Sequence, residues 1–134
     1  MALRMKVDVV SAERLIFSGQ VEQLYIRGEL GELGIFPRHT PLLTCIKPGL
    51  LRLILPHDNQ EAFFVSSGYL EVQPNIVTVL ADTVIRSEEM DAAAARAARE
   101  IEQYEGQKKP QFDKELALNI ALLRALEEVK RASS

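Results

Sequence analysis

Glycine, proline and alanine are distributed so unevenly along this chain that they divide it in two. Six of the seven glycines and five of the six prolines precede residue 87, whereas ten of the fourteen alanines follow it. Glycine and proline punctuate extended chain at turns, and alanine is the strongest helix former. The expected organisation is therefore a turn-rich β part over residues 1–86 and a helical part over 87–134. Charge does not mark the boundary, with 8 basic and 9 acidic side chains before it and 8 and 10 after.

In the first part, short runs of β-branched, leucine and aromatic residues alternate with turn residues at the spacing of a sandwich or barrel. Candidate strands are 5–10, 14–17, 21–27, 34–36, 42–46, 50–55, 61–66, 69–73 and 76–81. Lys47-Pro48-Gly49 has the signature of a type II turn, and 56–60 and Pro74-Asn75 mark two further hairpins. No window here has helical period, so the sheet is expected to be mostly antiparallel. Leu50 to Leu55 is apolar on both faces, which a sandwich strand with one solvated face avoids. Either loops cover its outer face or a partner protein does.

The second part changes period. Ser87 is a candidate N-cap, with Glu88, Glu89 and Asp91 at the positive end of the helix dipole. Met90, Ala94, Ala97, Ile101 and Tyr104 then form one face, flattened by alanine so that a second helix can approach closely. Gly106 and Pro110 stop this helix, and 107–110 connect it to a second that starts near Gln111 or Asp113. On the second helix Phe112, Leu116, Ile120 and Leu123 form one stripe, with Leu122, Leu126 and Val129 beside it. The fold class is thus α+β: an antiparallel β-sandwich followed by an antiparallel two-helix hairpin lying on it.

Chemistry is scarce. In "GELGELGIFPRHTP" at 28–41 the glycines recur every third residue, no Gly-Lys-Ser/Thr follows and a strand comes next, so the stretch fits neither phosphate-binding fingerprint. His39 and His57 are the only histidines and neither has cysteine nearby, which leaves no metal site and no catalytic constellation. Cys45, the only cysteine, reads as a small buried hydrophobe. The net charge of -3 disfavours nucleic acid and anionic lipid as partners. No apolar run reaches the length of a membrane span, so membrane association is expected only through another protein. The opening stretch reads best as a stiff presented loop, in which Pro37 and Pro41 lower the ordering cost of docking.

"GELGIFPRHTPLLT" at 31–44, "IKPGLLRL" at 46–53, "SGYLEVQPNIVTVLADT" at 67–83 and the alanine-rich tail together resemble the epsilon subunit family of bacterial F-type ATP synthases. The resemblance implies a sandwich of about ten strands with a helical hairpin. It implies a non-catalytic rotor subunit in the central stalk, which couples proton-driven rotation of the c ring to ATP synthesis. Implied partners are the gamma subunit and the c ring, and the catalytic alpha and beta subunits when the helices extend to inhibit ATP hydrolysis. The implied location is the cytoplasmic face of the bacterial inner membrane. By position, the loop with Glu32, Pro37, Arg38, His39 and Pro41 would face the c ring.

Some members of that family bind ATP between the two helices. Here Asp91 is retained, alanine stands in place of the arginine of that pattern, Arg124 falls at a basic position and Glu128 replaces an arginine. Losing a guanidinium removes a bidentate contact to phosphate, so ATP binding is expected to be weak or absent and no cofactor is expected. Asp91 and Arg124 are also all that would support the alternative, a stand-alone nucleotide- or metabolite-sensing module built on the hairpin.

Overall fold

The structure, a computed structural model, describes residues 3–105 and 114–133, with side chains described over 3–100 and 117–131. It has ten strands: β1 (Met5–Ser11), β2 (Leu15–Val21), β3 (Gln23–Gly28), β4 (Gly31–Ile35), β5 (Leu42–Ile46), β6 (Gly49–Ile54), β7 (Gln60–Val65), β8 (Gly68–Val72), β9 (Val77–Ala81) and β10 (Val84–Arg86). Two helices follow, α1 (Met90–Glu105) and α2 (Lys114–Ser133).

The strands form one sheet in the order β10-β7-β6-β3-β5-β8-β9-β1-β2, with β4 attached to β3. Every pairing is antiparallel except that of β1 with β9. Strand β3 pairs with β6 along its first half and then meets β5 at Gly28 and Ile46 alone. At this corner the sheet folds over into two layers. Alternate residues of both layers then share one core, with Val7, Val9, Leu24, Ile26, Leu51, Leu53, Phe63, Leu70 and Val79 all buried. The two ends of the sheet's path, β10 and β2, meet again across the opening. There the Arg86 guanidinium lies over the Phe63 ring, Phe63 meets Phe17 edge-on, and Arg86 Nη2 donates to the Ile16 carbonyl.

Several expectations need correction. The second candidate strand, 14–17, ends too early and the third, 21–27, begins too early: Ser18, Gly19 and Gln20 continue β2 to Val21, and β3 starts at Gln23. Ser18 looks like a turn residue, yet its hydroxyl donates to Asp8 and accepts from Lys6, each at 2.7 Å, across the solvated face. Strand β10 has three residues, too few to show a period. Gly49 does not adopt the positive φ of a type II turn; among the described residues the only such glycine is Gly31. Gly49 instead opens β6, where the Arg27 side chain lies against it.

Ser87 is not an N-cap. It begins a short 3₁₀ turn, Ser87–Glu89, capped by Arg86 without a side-chain bond, and α1 starts after it at Met90. Met90, Ala93 and Ala97 of α1 and Leu122 and Ala125 of α2 are buried together with Phe64, and Leu50 and Ile85 pack beside them. The helices are antiparallel, since Asp91 is paired with Lys130 and Glu100 with Asn119. Leu50 of β6 and Phe64 of β7, on the outward face, are therefore covered by the chain's own helices. On α2 the inner stripe runs through Leu118, Leu122, Ala125, Leu126 and Val129, while Ile120, expected to face inward, is exposed. The expected stop at Gly106, the link at 107–110 with Pro110, and Gln111, Phe112 and Asp113 lie outside the described residues, as do the side chains of Ile101, Tyr104 and Leu116.

Candidate interaction surfaces

The repeat GELGEL builds a hairpin. Gly28 closes β3 opposite Gly31 of β4, Glu29 and Leu30 connect them, and Gly31 takes φ 133°, which a side chain would resist. Leu30 at the tip is fully exposed. The second copy is therefore strand, and this corrects the expectation of one loop carrying both Glu32 and His39. Glu32 sits within β4 opposite Arg27, with its Oε1 3.4 Å from Arg52 Nη2. Arg52 also lies 5.0 Å over the Tyr25 ring, which meets Phe36 edge-on. Glu32 and His39 are thereby separated by most of a strand, on the order of 15 Å.

Beyond β4 the chain makes a tight turn in which His39 N donates to the Phe36 carbonyl at 3.1 Å. Pro37 presets φ at the second position, and Arg38 at the third takes φ 69°. That is the type II arrangement whose third position ordinarily belongs to glycine or asparagine. His39 Nδ1 lies 2.7 Å from the Thr40 carbonyl, so the proton sits on that nitrogen and fixes the ring. Arg38, Thr40 and Pro41 are exposed, and Pro37 and His39 are half-buried. Strand β4 itself pairs only with β3, so among the described residues its other edge is open.

A second surface escaped the sequence reading. On the outer face of the β5-β8-β9-β1 layer, the register sets Cys45 beside Tyr69, Tyr69 beside Leu80 and Leu80 beside Val10. Tyr69 is 53% and Leu80 46% exposed, with Leu43 on the same face at 67%. A shallow cavity of about 520 Å³ opens between Cys45, Tyr69, Leu80 and the Ala12 and Asp82 turns. Cys45 is exposed here, against the expectation of burial. The signal was available: "LLTCI" and "VTVLA" carry apolar residues on both faces just as "LLRLIL" does. Helices cover the one face and leave this one bare.

The helical hairpin does not gather the nucleotide candidates. Asp91 is exposed, and its carboxylate is 3.7 Å from Lys130 Nζ. Arg124 lies on the other flank of α2, lining an open cleft of about 660 Å³ with Arg27, Lys47, Arg52 and Glu128, in which Asp91 has no part. Among the described residues no three histidine, cysteine or carboxylate side chains come together to hold a metal, and no helix is long and apolar enough to cross a membrane.

Residues 4–87 match the family model for the ATP synthase delta/epsilon chain β-sandwich domain. Across 137 aligned positions the chain is 48% identical to the ATP synthase epsilon chain of Nitrosococcus oceani, covering 98% of each. Among solved structures it resembles a chain of the Euglena gracilis mitochondrial ATP synthase (OSCP/F1/c-ring, rotational state 1), with TM-score 0.73 at 17% identity over 98% of this chain and 82% of that one. It also resembles a chain of the Tetrahymena thermophila mitochondrial ATP synthase central stalk/c-ring structure, with TM-score 0.63 at 14% identity over 95% and 96%. At these identities the two structures bear on the fold alone.

Proposed function

The chain belongs to the ATP synthase epsilon chains, and from that premise we propose that it works as a non-catalytic subunit of the central stalk, coupling rotation of the proton-driven ring to ATP synthesis. The observation that carries this reading is the bare apolar row Cys45–Tyr69–Leu80 on an otherwise ordinary sandwich. A monomer rarely leaves such a row uncovered, and docking it removes apolar area from water at about 25 cal/mol per Å². The row takes the gamma subunit.

The c ring lies along the open edge of β4, which carries Glu32 at one end and leads into Pro37, Arg38, His39 and Pro41 at the other. An edge strand backed by a proline-stiffened turn is a rigid contact, as a joint that transmits torque requires. Because no described helix can span a bilayer, attachment to the cytoplasmic face of the bacterial inner membrane is through the complex.

Residues 1–86 form the docking unit and 87–134 the regulatory one. The hairpin rests on Phe64, Leu50 and Ile85 through a face made largely of alanine, which buries little area per residue. Such a face is readily released, and the freed helices extend toward the catalytic alpha and beta subunits to restrain ATP hydrolysis. ATP binds the isolated chain weakly or not at all, because Asp91 and Arg124 do not share a cavity. The stand-alone sensor reading loses support for the same reason.

Co-purification tests the assignment. A tagged chain expressed in its host is expected to bring down gamma and the c ring under gentle conditions. Recovery of the chain alone would contradict it.

A further inference from the structure

Among the described residues three non-glycine residues have positive φ: Arg38, His57 and Asp58, at 69°, 66° and 61°. They fall at one end of the sandwich. Ile35 of β4 is paired with Leu24 of β3, and Leu24 with Leu53 of β6. The turn 36–39 after β4 and the 3₁₀ turn Pro56–Asp58 after β6 therefore leave the same end, about 10 Å apart across three strands. The opposite end makes its tightest turn with glycine instead, at Gly31.

A left-handed residue bearing a side chain is strained, and such strain concentrates where surrounding structure must hold a group in place for contact. At Arg38 the turn is over-determined by Pro37, by the His39-to-Phe36 hydrogen bond and by the His39 ring held on Thr40. A glycine would satisfy that turn without strain. The residue present is an exposed arginine whose guanidinium has no hydrogen-bond or ion-pair partner among the described residues, Asp58 in the neighbouring turn included.

We propose that this end of the sandwich is a rigid docking end, and that Arg38 is its specificity-determining contact, held out to pair with a side-chain carboxylate on the membrane ring. A guanidinium presented from a fixed backbone recognises a carboxylate bidentately and loses less entropy on pairing than one on a mobile loop. The inference rests on the stalk reading given above, and extends it to one residue and one chemical group.

The test is rebinding to the membrane-bound complex stripped of this subunit, held in phosphatidylcholine nanodiscs. Arg38→Asn tolerates the left-handed turn and removes the charge, Arg38→Lys keeps a charge, and Arg38→Glu reverses it. Leu80→Arg serves as the control for the gamma-facing row. The expected result is roughly ten-fold weaker binding for Arg38→Asn, with a shallower salt dependence, a larger loss for Arg38→Glu and partial retention for Arg38→Lys. Binding of Arg38→Asn and Arg38→Glu equal to wild type, with Leu80→Arg still impaired, would overturn the inference and leave the stalk reading standing. An Arg38 effect that appears only when phosphatidylglycerol is added, or that persists on a ring-free complex, would also overturn it. Failure of the wild-type chain to rebind at all would instead count against the stalk reading.

Discussion

Arg86 Nη2 donates a 2.6 Å hydrogen bond to the Ile16 carbonyl, joining the two strands that end the sheet's path. The same guanidinium lies 5.6 Å over Phe63 in the core. Arg86 is also the last strand residue before the helical part. The sandwich is thus closed by the residue from which the hairpin departs.

A charge-assisted, half-buried hydrogen bond contributes about 1.5–3 kcal/mol. Arg86→Ala is expected to lower unfolding stability by about 2 kcal/mol, read from urea unfolding of the full chain. For the same reason a fragment ending at Arg86 should unfold at distinctly higher urea than one ending at Ile85. Equal midpoints would show that Arg86 does not close the sandwich.

Gly68 opens β8 directly against β9, where an added Cβ would lie 1.9 Å from the Leu80 carbonyl oxygen and 2.8 Å from Ala81 Cα. Both are backbone atoms and cannot step aside. Gly68→Ala should cost more than about 3 kcal/mol and yield little folded protein, measured by circular dichroism of the soluble fraction. Near-normal stability would mean that β8 and β9 are not in this register.

Much of this was legible beforehand. Turn residues marked seven of the ten strands closely, and the alanine shift marked the helices. What was lost depended on pairings no local pattern displays. Ser18 reads as a turn until Asp8 and Lys6 come alongside it, and β10 has meaning only beside β7. In the candidate surfaces the prolines pointed to the 36–41 turn, but Glu32 was placed in the same loop by position in the family resemblance, and only the pairing of β3 with β4 shows it within an edge strand. The apolar row of Tyr69 and Leu80 needed the register of three strands to become a row at all.

Leu122 is buried between α1 and the outer face of the sandwich. Leu122→Ala should weaken hairpin docking by about 2–3 kcal/mol. Amide exchange over 90–100 and 117–131 should accelerate while the core strands keep their protection. Uniform acceleration across the whole chain would indicate one cooperative unit and no separable hairpin.

Isothermal titration of the isolated chain with Mg-ATP should show no saturable binding in the micromolar range, and Asp91→Ala, which frees Lys130, should leave that result unchanged. A micromolar dissociation constant abolished by Asp91→Ala would place a nucleotide between the helices and reverse this part of the account.

On the proposed function, a non-catalytic sandwich docks on the stalk through its bare apolar row. The most direct measurement of this docking is calorimetric titration of purified gamma subunit into the wild-type chain and into Leu80→Arg, whose exposed position on β9 can accept a cation without unfolding the protein. The expected result is saturable binding by the wild type and at least a hundred-fold loss, about 2.7 kcal/mol, for the variant, since burying an unpaired guanidinium adds to the lost apolar area. Undiminished binding by a folded Leu80→Arg chain, or none by the wild type, would contradict it.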